Sequence, residues 1–253
     1  MNTLEHSLER TVLIRAVPEV VFRFFTDSQR WASWWGEGST IEPRPAGRVY
    51  IRYPNGIEAS GEVLEVSGTR IVFTYGYNSG KPIPAGSSRV TIEVSPHPVG
   101  TRVHLRHEFS DARVRDEHIQ GWRYQMSVFA NAVFNEVNAH AADIVDAWFA
   151  AWNIDDHHAR KAALERIALP TIEYRDRFSL IAGIDDLVAN IAAVKRFMPG
   201  VRLNRTGPVG RCQEAALANW QATSSSAPAG TGTSLFLFSS SGQLETVIGF
   251  WNG

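Results

Sequence analysis

One short segment of the sequence pairs two side chains that can move a proton. Tyr174 and Asp176 are two residues apart, and side chains alternate between the two faces of a β-strand, so in a strand they would share one face. A carboxylate beside a phenol at the mouth of an aromatic pocket can abstract or share a proton. Asp176 and Tyr174 are therefore the candidate catalytic residues. The alternative is structural, with Asp176 paired to Arg175 or Arg177 or capping a turn.

Large rings form the second group of candidates. The chain contains 8 tryptophans, and such side chains either pack in a core or line an apolar cavity that holds a few polar anchors. Both interpretations stay open from the sequence. The candidate ligand-binding residues are Trp35, Tyr75, His107, Trp122, Met126, Trp148, Trp152 and Trp220.

His107 is the polar member of that group. It alternates with Leu105 and Phe109 along one face of an apolar segment, so a strand there would direct the imidazole toward the interior. A buried imidazole can orient a ligand or exchange protons. The alternative is a histidine that is hydrogen-bonded near the end of a strand.

Metal and nucleotide chemistry lack their usual patterns. His104 and His107 would face opposite sides of a strand, and His157 and His158 are adjacent, so their side chains diverge by about 100° on a helix. The single cysteine, Cys212, has no histidine beside it, and no glycine-rich phosphate loop is present. We expect no metal and no organic cofactor.

Composition excludes several partners. Lys and Arg number 25 and Asp and Glu 26, for a net charge of −1, which gives no general attraction to nucleic acid or to an anionic membrane. No apolar run approaches the roughly 18 residues of a membrane span. The first residues show no basic segment followed by an apolar core. We expect a cytoplasmic protein.

The elements that position these residues fall into two sets, which predict two domains at residues 1–140 and 141–253. In the first set Pro18 opens a helix, and apolar residues alternate from 47 to 109, as in antiparallel hairpins. A long closing helix over 116–140 is predicted by an apolar stripe at Trp122, Met126, Phe129, Val133 and Val137.

The second set begins again with helices. Ile144, Trp148 and Trp152 recur at helical spacing, and Asp155 or Asp156 can cap a following helix that Pro170 ends. A helix is also expected from Asp186 and a loop over 224–232. The predicted strands are residues 171–176, 201–205, 215–223, 234–239 and 244–251.

The first set resembles the START-like superfamily, and within it the domain shared with the activator of heat-shock-protein-90 ATPase. The resemblance rests on Pro18-Glu19-Val20-Val21-Phe22, on Trp31-Ala32-Ser33-Trp34-Trp35-Gly36 and on Gly121-Trp122-Arg123, and it covers residues 8–140. It implies a helix-grip fold, in which a curved antiparallel sheet and a long C-terminal helix hold an apolar ligand between them.

The second set resembles the SnoaL-like branch of the nuclear-transport-factor-2-like superfamily, an α+β cone. The motifs are Ala150-Ala151-Trp152-Asn153, the strand that ends in Asp176, and Gly249-Phe250-Trp251. Some enzymatic members use an aspartate late in the strand that here contains Ser234, which cannot act as a carboxylate base. Related domains commonly pair through one sheet face, for which we expect Phe236, Phe238 and Trp251 to supply the apolar surface of a homodimer.

These features predict an α+β protein of two domains that binds small apolar or aromatic molecules. One alternative is a cofactor-independent cyclase, isomerase or hydrolase that uses the C-terminal cone. A second alternative is a stress-related co-chaperone-like module, which rests on family analogy alone.

Overall fold

The chain divides into two compact units in the computed structural model, Met1–Phe134 and Asn135–Gly253. The structure describes residues 3–224 and 230–252. The predicted loop over 224–232 falls mostly on residues 225–229, which lie outside the described residues, and residues 230–232 belong to a strand instead. No helix within the described ranges has the length and hydropathy needed to cross a membrane.

The first unit is a seven-stranded antiparallel sheet with three helices. Its elements are β1 (His6–Ile14), α1 (Pro18–Arg23), α2 (Ser28–Trp35), β2 (Thr40–Ile41), β3 (Arg48–Arg52), β4 (Glu58–Val66), β5 (Arg70–Tyr75), β6 (Ser88–His97), β7 (Gly100–Phe109) and α3 (Ala112–Val137). The strand order is β1-β7-β6-β5-β4-β3-β2. Strands β2 to β7 therefore form one run in which consecutive strands are neighbours, as expected from the alternating pattern and its turns, and β1 pairs with β7.

Aromatic packing joins α3 to the segment that contains α1 and α2. Phe129 stacks on Phe25 with ring centroids 4.9 Å apart and contacts Trp34 at 5.3 Å. On the same helix, Gln125 donates to the carbonyl of Trp34. The aromatic cluster at 31–36 is therefore core, and it fixes the helix that closes the unit.

The predicted bounds of α3 were too late at both ends. The helix begins at Ala112 because the Asp111 carboxylate accepts from the backbone N–H of Arg113 at 2.7 Å, which caps the first turn. It ends at Val137, and residues 138–140 form a turn.

The second unit has a six-stranded mixed sheet and three helices. Its elements are α4 (Ala141–Asn153), α5 (His157–Glu165), β8 (Ala168–Arg175), β9 (Leu180–Ala182), α6 (Ile184–Phe197), β10 (Arg202–Cys212), β11 (Ala215–Thr223), β12 (Gly230–Phe238) and β13 (Leu244–Asn252). The strand order is β10-β11-β12-β13-β8-β9, and only the β13–β8 pair is parallel among the described strands.

Two predictions in this unit were wrong in detail. The helix capped by Asp156 ends at Glu165, and Pro170 lies inside β8 rather than ending the helix. The register between β8 and β13 shifts across this stretch, and a proline is tolerated where the strand ladder is irregular. The three-residue strand β9 was not predicted.

The residues expected at a dimer surface lie elsewhere. Phe236 and Phe238 are 0% and 1% exposed, because β12 turns this face inward. Trp251 lies in the wall of an internal cavity. The predicted α+β fold in two parts is confirmed, but these three side chains do not form an outer apolar face.

The turn between α3 and α4 is the natural place to divide the chain. Val137 ends α3, and Asn138 belongs to the second unit, where its carbonyl accepts from Arg211. We expect the fragments 1–137 and 138–253 each to unfold cooperatively, since each contains its own sheet and core. Circular dichroism melts of both fragments, compared with the full chain, test this. Two fragments without a melting transition would refute the division.

Candidate functional site

A cavity of about 370 Å³ lies in the second unit. Its walls are mostly apolar and aromatic, and Tyr174, Asp176 and all three tryptophans predicted for this half line it. The lining includes Trp148, Trp152, Tyr174, Asp176, Phe178, Lys195, Phe197, Trp220, Ala222, Ser234, Gly249 and Trp251. The sequence therefore identified the principal wall of this cavity.

The Asp176 carboxylate accepts three hydrogen bonds at the cavity wall. Its Oδ2 accepts from the Tyr174 hydroxyl at 2.8 Å and from the Trp251 indole N–H at 3.1 Å. Its Oδ1 accepts from the backbone N–H of Phe178 at 2.8 Å. A carboxylate offers about four lone-pair positions, so Oδ1 retains one for a ligand donor.

Tyr174 is the donor of this pair. It is 7% exposed, and burial, followed by the adjacent Asp176 carboxylate, raises the pKa of the phenol well above its ordinary value. The hydroxyl therefore keeps its proton and donates it to Asp176. Any proton taken from a ligand at this site would go to Asp176, with Tyr174 as the residue that positions the carboxylate.

One half of the structural alternative for Asp176 is correct, because the carboxylate caps the turn after β8, but the expected pairing with a neighbouring arginine is not found among the described residues. No ion pair joins Asp176 to Arg175 or Arg177 in the described part of the chain. Strand alternation explains this, since Arg175 is exposed whereas Tyr174 is buried. Asp176 does organise the turn after β8, through Phe178, while it faces the cavity.

Gly249 leaves the space that the carboxylate occupies. Strand β13 runs parallel to β8 with Ile248 opposite Arg175, which brings Gly249 beside Asp176. A Cβ at position 249 would lie 3.2 Å from the Asp176 Cβ and 3.7 Å from the Tyr174 hydroxyl. A larger side chain there would press on the acid and its donor.

The tryptophan wall comes from two elements. Trp148 and Trp152 are four residues apart on α4, and both contact the Tyr174 ring. The distances between the ring centroids are 5.7 and 5.5 Å. Trp220 on β11 donates its indole N–H to the Ser234 hydroxyl at 3.0 Å. Ser234 thus stands in the cavity where the resemblance implies an acid, and its oxygen is used to hold Trp220.

Several cavity residues were not identified from the sequence. Trp251 was placed at a dimer surface, yet its ring packs edge-on against Trp220 at 4.8 Å and its N–H reaches Asp176. Lys195 lines the cavity and donates to the Ile154 carbonyl at 2.9 Å. Alternation puts Trp251 on the same face of β13 as Gly249, but the pairing of β13 with β8, which brings this face to Asp176, has no local sequence signal.

A smaller cavity of about 210 Å³ lies in the first unit. Of the predicted ligand-binding residues, Trp35, Tyr75 and Trp122 line it, whereas His107 and Met126 do not. Its polar groups include the Tyr53 and Tyr75 hydroxyls, which share a hydrogen bond of 2.8 Å. Burial raises the pKa of both phenols, so they stay protonated.

His107 is fully buried and engaged on both ring nitrogens. The Trp122 indole N–H can only donate, so Nδ1 of His107 accepts, at 2.9 Å. The ring proton is then on Nε2, which donates to the Ser88 hydroxyl at 2.8 Å, and Ser88 donates to the Tyr75 carbonyl at 2.7 Å. The expectation that His107 projects into a ligand space was wrong, and the hydrogen-bonded alternative is correct.

Met126 is also a core residue, 2% exposed on the buried face of α3. The long apolar stripe of that helix is buried, and only the end near Trp122 borders the cavity. Periodicity identifies the buried face of a helix but does not show where along it the packing leaves a space.

No group of three or more His, Cys, Asp or Glu side chains in the described residues is arranged to hold a metal ion. Cys212 is exposed at the end of β10.

The first unit is thus a helix-grip fold, followed by an α+β unit with an internal aromatic cavity. A family model described as "Activator of Hsp90 ATPase homolog 1-like protein" matches residues 15–133. This match lies within the first unit. A search of curated proteins finds no match.

Similar solved structures each correspond to about half of the chain. A SnoaL-like family protein from Agrobacterium tumefaciens, described as an isomerase, is 23% identical with a TM-score of 0.42 and covers 44% of this chain and 97% of its own. Protein MLL2253 from Mesorhizobium loti is 21% identical with a TM-score of 0.44, and the match covers 49% of this chain and 93% of that protein. Protein Ms6760 from Mycobacterium smegmatis is 20% identical with a TM-score of 0.45, covering 53% and 92%.

The buried histidine makes stability depend on pH. Burial lowers the pKa of His107 well below its ordinary value, so the folded protein keeps it neutral. Below about pH 6.5 the unfolded chain takes up a proton that the folded chain refuses, and stability falls as the pH falls. The slope is at most about 1.4 kcal/mol per pH unit for this group. His118, whose pKa burial also lowers, adds to the same trend.

His107→Gln retains an acceptor for Trp122 and a donor for Ser88 but does not titrate. We expect the free energy of unfolding, measured in urea at pH 6.5 and 5.5, to decline less in this variant than in the wild type. Equal declines in the two proteins would contradict the assignment of a neutral, buried His107.

Proposed function

We propose that this protein binds a small apolar or aromatic molecule in the cavity of its second unit. The observation that carries the proposal is the combination of about 370 Å³ of space, aromatic walls and one acceptor position on Asp176. Ligand sites typically combine apolar walls with a few convergent polar groups. The favoured ligand is flat, largely apolar and carries one hydroxyl or N–H that can reach Asp176.

The cavity of the first unit supports a second binding site within the same proposal. Trp35 and Trp122 border it, and the Tyr53 and Tyr75 hydroxyls supply its polar edge. Its smaller volume, about 210 Å³, suits a smaller molecule. Because the phenols stay protonated, they offer hydrogen bonds rather than charge.

Catalysis is the alternative function, and the Tyr174–Asp176 pair is the observation that favours it. Asp176 would act as the base in a cyclase, isomerase or hydrolase reaction, with no metal or organic cofactor, and Tyr174 would hold it in place. The presence of Ser234 in the same cavity favours binding over chemistry, since a second carboxylate is not supplied there.

A co-chaperone-like role is a further alternative, supported by the match of residues 15–133 to the family model alone. Fold-level likeness does not determine function.

We further propose that the protein acts in the cytoplasm without nucleic acid, which fits its net charge of −1 and single cysteine. A homodimer remains part of the proposal, with Phe250 on β13, which is 54% exposed, as an apolar contact.

Filling the cavity tests the binding site. Ala222 is 2% exposed and lines the cavity, so Ala222→Trp places a large ring inside it. We expect N-phenyl-1-naphthylamine, an uncharged fluorescent probe, to bind the wild type saturably and this variant at least about tenfold more weakly, because one ring occupies the space of the other.

Leu217→Trp is the matched control, since it adds the same ring at an exposed position of the same strand. It should bind the probe as the wild type does. Circular dichroism melting verifies that both variants fold. Unchanged affinity in a folded Ala222→Trp protein would contradict the proposal.

A further inference from the structure

The mouth of the second unit's cavity carries an unusual group of exposed apolar side chains. Phe197, Leu180 and Phe178 are 86%, 84% and 73% exposed, the three highest values among large apolar residues in the described part of the chain. Phe178 and Phe197 also line the cavity. We call these three residues, together with Arg177 and Arg196, the cavity rim.

The fold holds the rim in place from two sides. Phe178 lies in the turn between β8 and β9, where its backbone N–H is bound by Asp176, and Leu180 opens β9 two residues later. Phe197 is the last residue of α6, across the cavity mouth. The exposure of these side chains is therefore set by secondary structure.

Each phenylalanine of the rim follows an exposed arginine. Arg177 precedes Phe178, with its guanidinium carbon 5.2 Å from the centre of that ring, and Arg196 precedes Phe197. Neither arginine forms an ion pair with another described residue. Large apolar surfaces beside unpaired cations are costly to leave in water unless something covers them.

The carboxylates near the rim do not neutralise these arginines. Asp155 pairs with Lys195 and with Arg202. Asp176 faces the cavity, where its three donors are Tyr174, Trp251 and Phe178. The rim is therefore locally cationic, although the whole chain carries a net charge of −1.

Asp185 and Asp186 do not neutralise Arg196 either. They lie in the first turn of α6, about 15–16 Å along the helix from Arg196. This distance exceeds the screening length of about 8–10 Å at moderate salt.

We propose that the cavity rim docks this protein reversibly onto an anionic lipid bilayer. Apolar side chains beside arginines are the combination by which surface elements enter the headgroup region, where the rings reach the acyl boundary and the cations meet anionic headgroups. Docking there would set the cavity mouth against the phase in which apolar molecules concentrate. The net charge of −1 predicts no general attraction to anionic membranes. The attraction proposed here depends instead on the local charge of the surface that contacts the membrane.

The test is co-sedimentation of the full chain with vesicles, without added ligand. We expect binding to vesicles of phosphatidylcholine with phosphatidylglycerol, weakening as salt increases, and little binding to phosphatidylcholine alone. Arg177→Gln with Arg196→Gln should lower the partition constant about 25-fold, from about fivefold per arginine. Leu180→Ser should lower it about tenfold.

These three positions do not line the cavity, so the variants should retain probe binding in the absence of vesicles. The test of docking thereby stays separate from the test of the proposed function. Arg23→Gln and Leu13→Ser, exposed positions of the first unit, are the matched controls and should bind vesicles as the wild type does.

Two results would overturn the proposal. The first is a wild type that ignores anionic vesicles, or rim variants that bind them unchanged. The second is a wild-type dimer in light scattering that Leu180→Ser converts to a monomer, which would assign the rim to a second copy of this chain.

Discussion

Three hydrogen bonds to one carboxylate organise the second unit around its cavity. The Asp176 carboxylate accepts hydrogen bonds from the Tyr174 hydroxyl on β8, from the backbone N–H of Phe178 in the following turn, and from the Trp251 indole N–H on β13. These contacts connect the ends of two parallel neighbouring strands and orient Trp251, which packs against Trp220 across Gly232 of the strand between them. Because the carboxylate is half-buried rather than enclosed, it can hold the wall together and still present an acceptor to a bound molecule.

The two buried polar centres of the protein differ in what they leave available. Both ring nitrogens of His107 are hydrogen-bonded, one to Trp122 and the other to Ser88, and the side chain is fully buried. His107 therefore supports the cavity of the first unit only by holding Trp122 in place. Asp176 borders open space and retains acceptor capacity. A polar residue on an inward face can contact a ligand only where the packing leaves a space beside it, and this difference is why we propose the ligand anchor in the second unit.

The periodicity of the sequence predicted which face of a strand or helix carries the site residues. It did not predict which neighbouring groups those residues contact. Alternation placed Tyr174 and Asp176 on one strand face, and helical spacing placed Trp148 and Trp152 on one face of α4, as the structure shows. The same rule could not tell whether His107 meets a ligand or a neighbouring tryptophan, since both lie on the inward face.

The corrections at Trp251 and Pro170 have related causes. The parallel β13–β8 pairing that brings Trp251 to Asp176 joins segments far apart in sequence, and no local pattern records it. The sequence pattern predicts that Pro170 ends a helix, whereas the residue lies in β8, where the irregular strand register accommodates it.

The measurement that tests the central claim most directly compares two probes on Asp176→Asn. N-phenyl-1-naphthylamine has an N–H that can donate to the carboxylate, whereas 1-phenylnaphthalene has similar rings and no donor. If Asp176 anchors ligands, the variant should bind the first probe about tenfold more weakly and the second with unchanged affinity, while its melting transition remains cooperative. Equal affinities of wild type and variant for both probes, or an equal loss for both, would contradict the account.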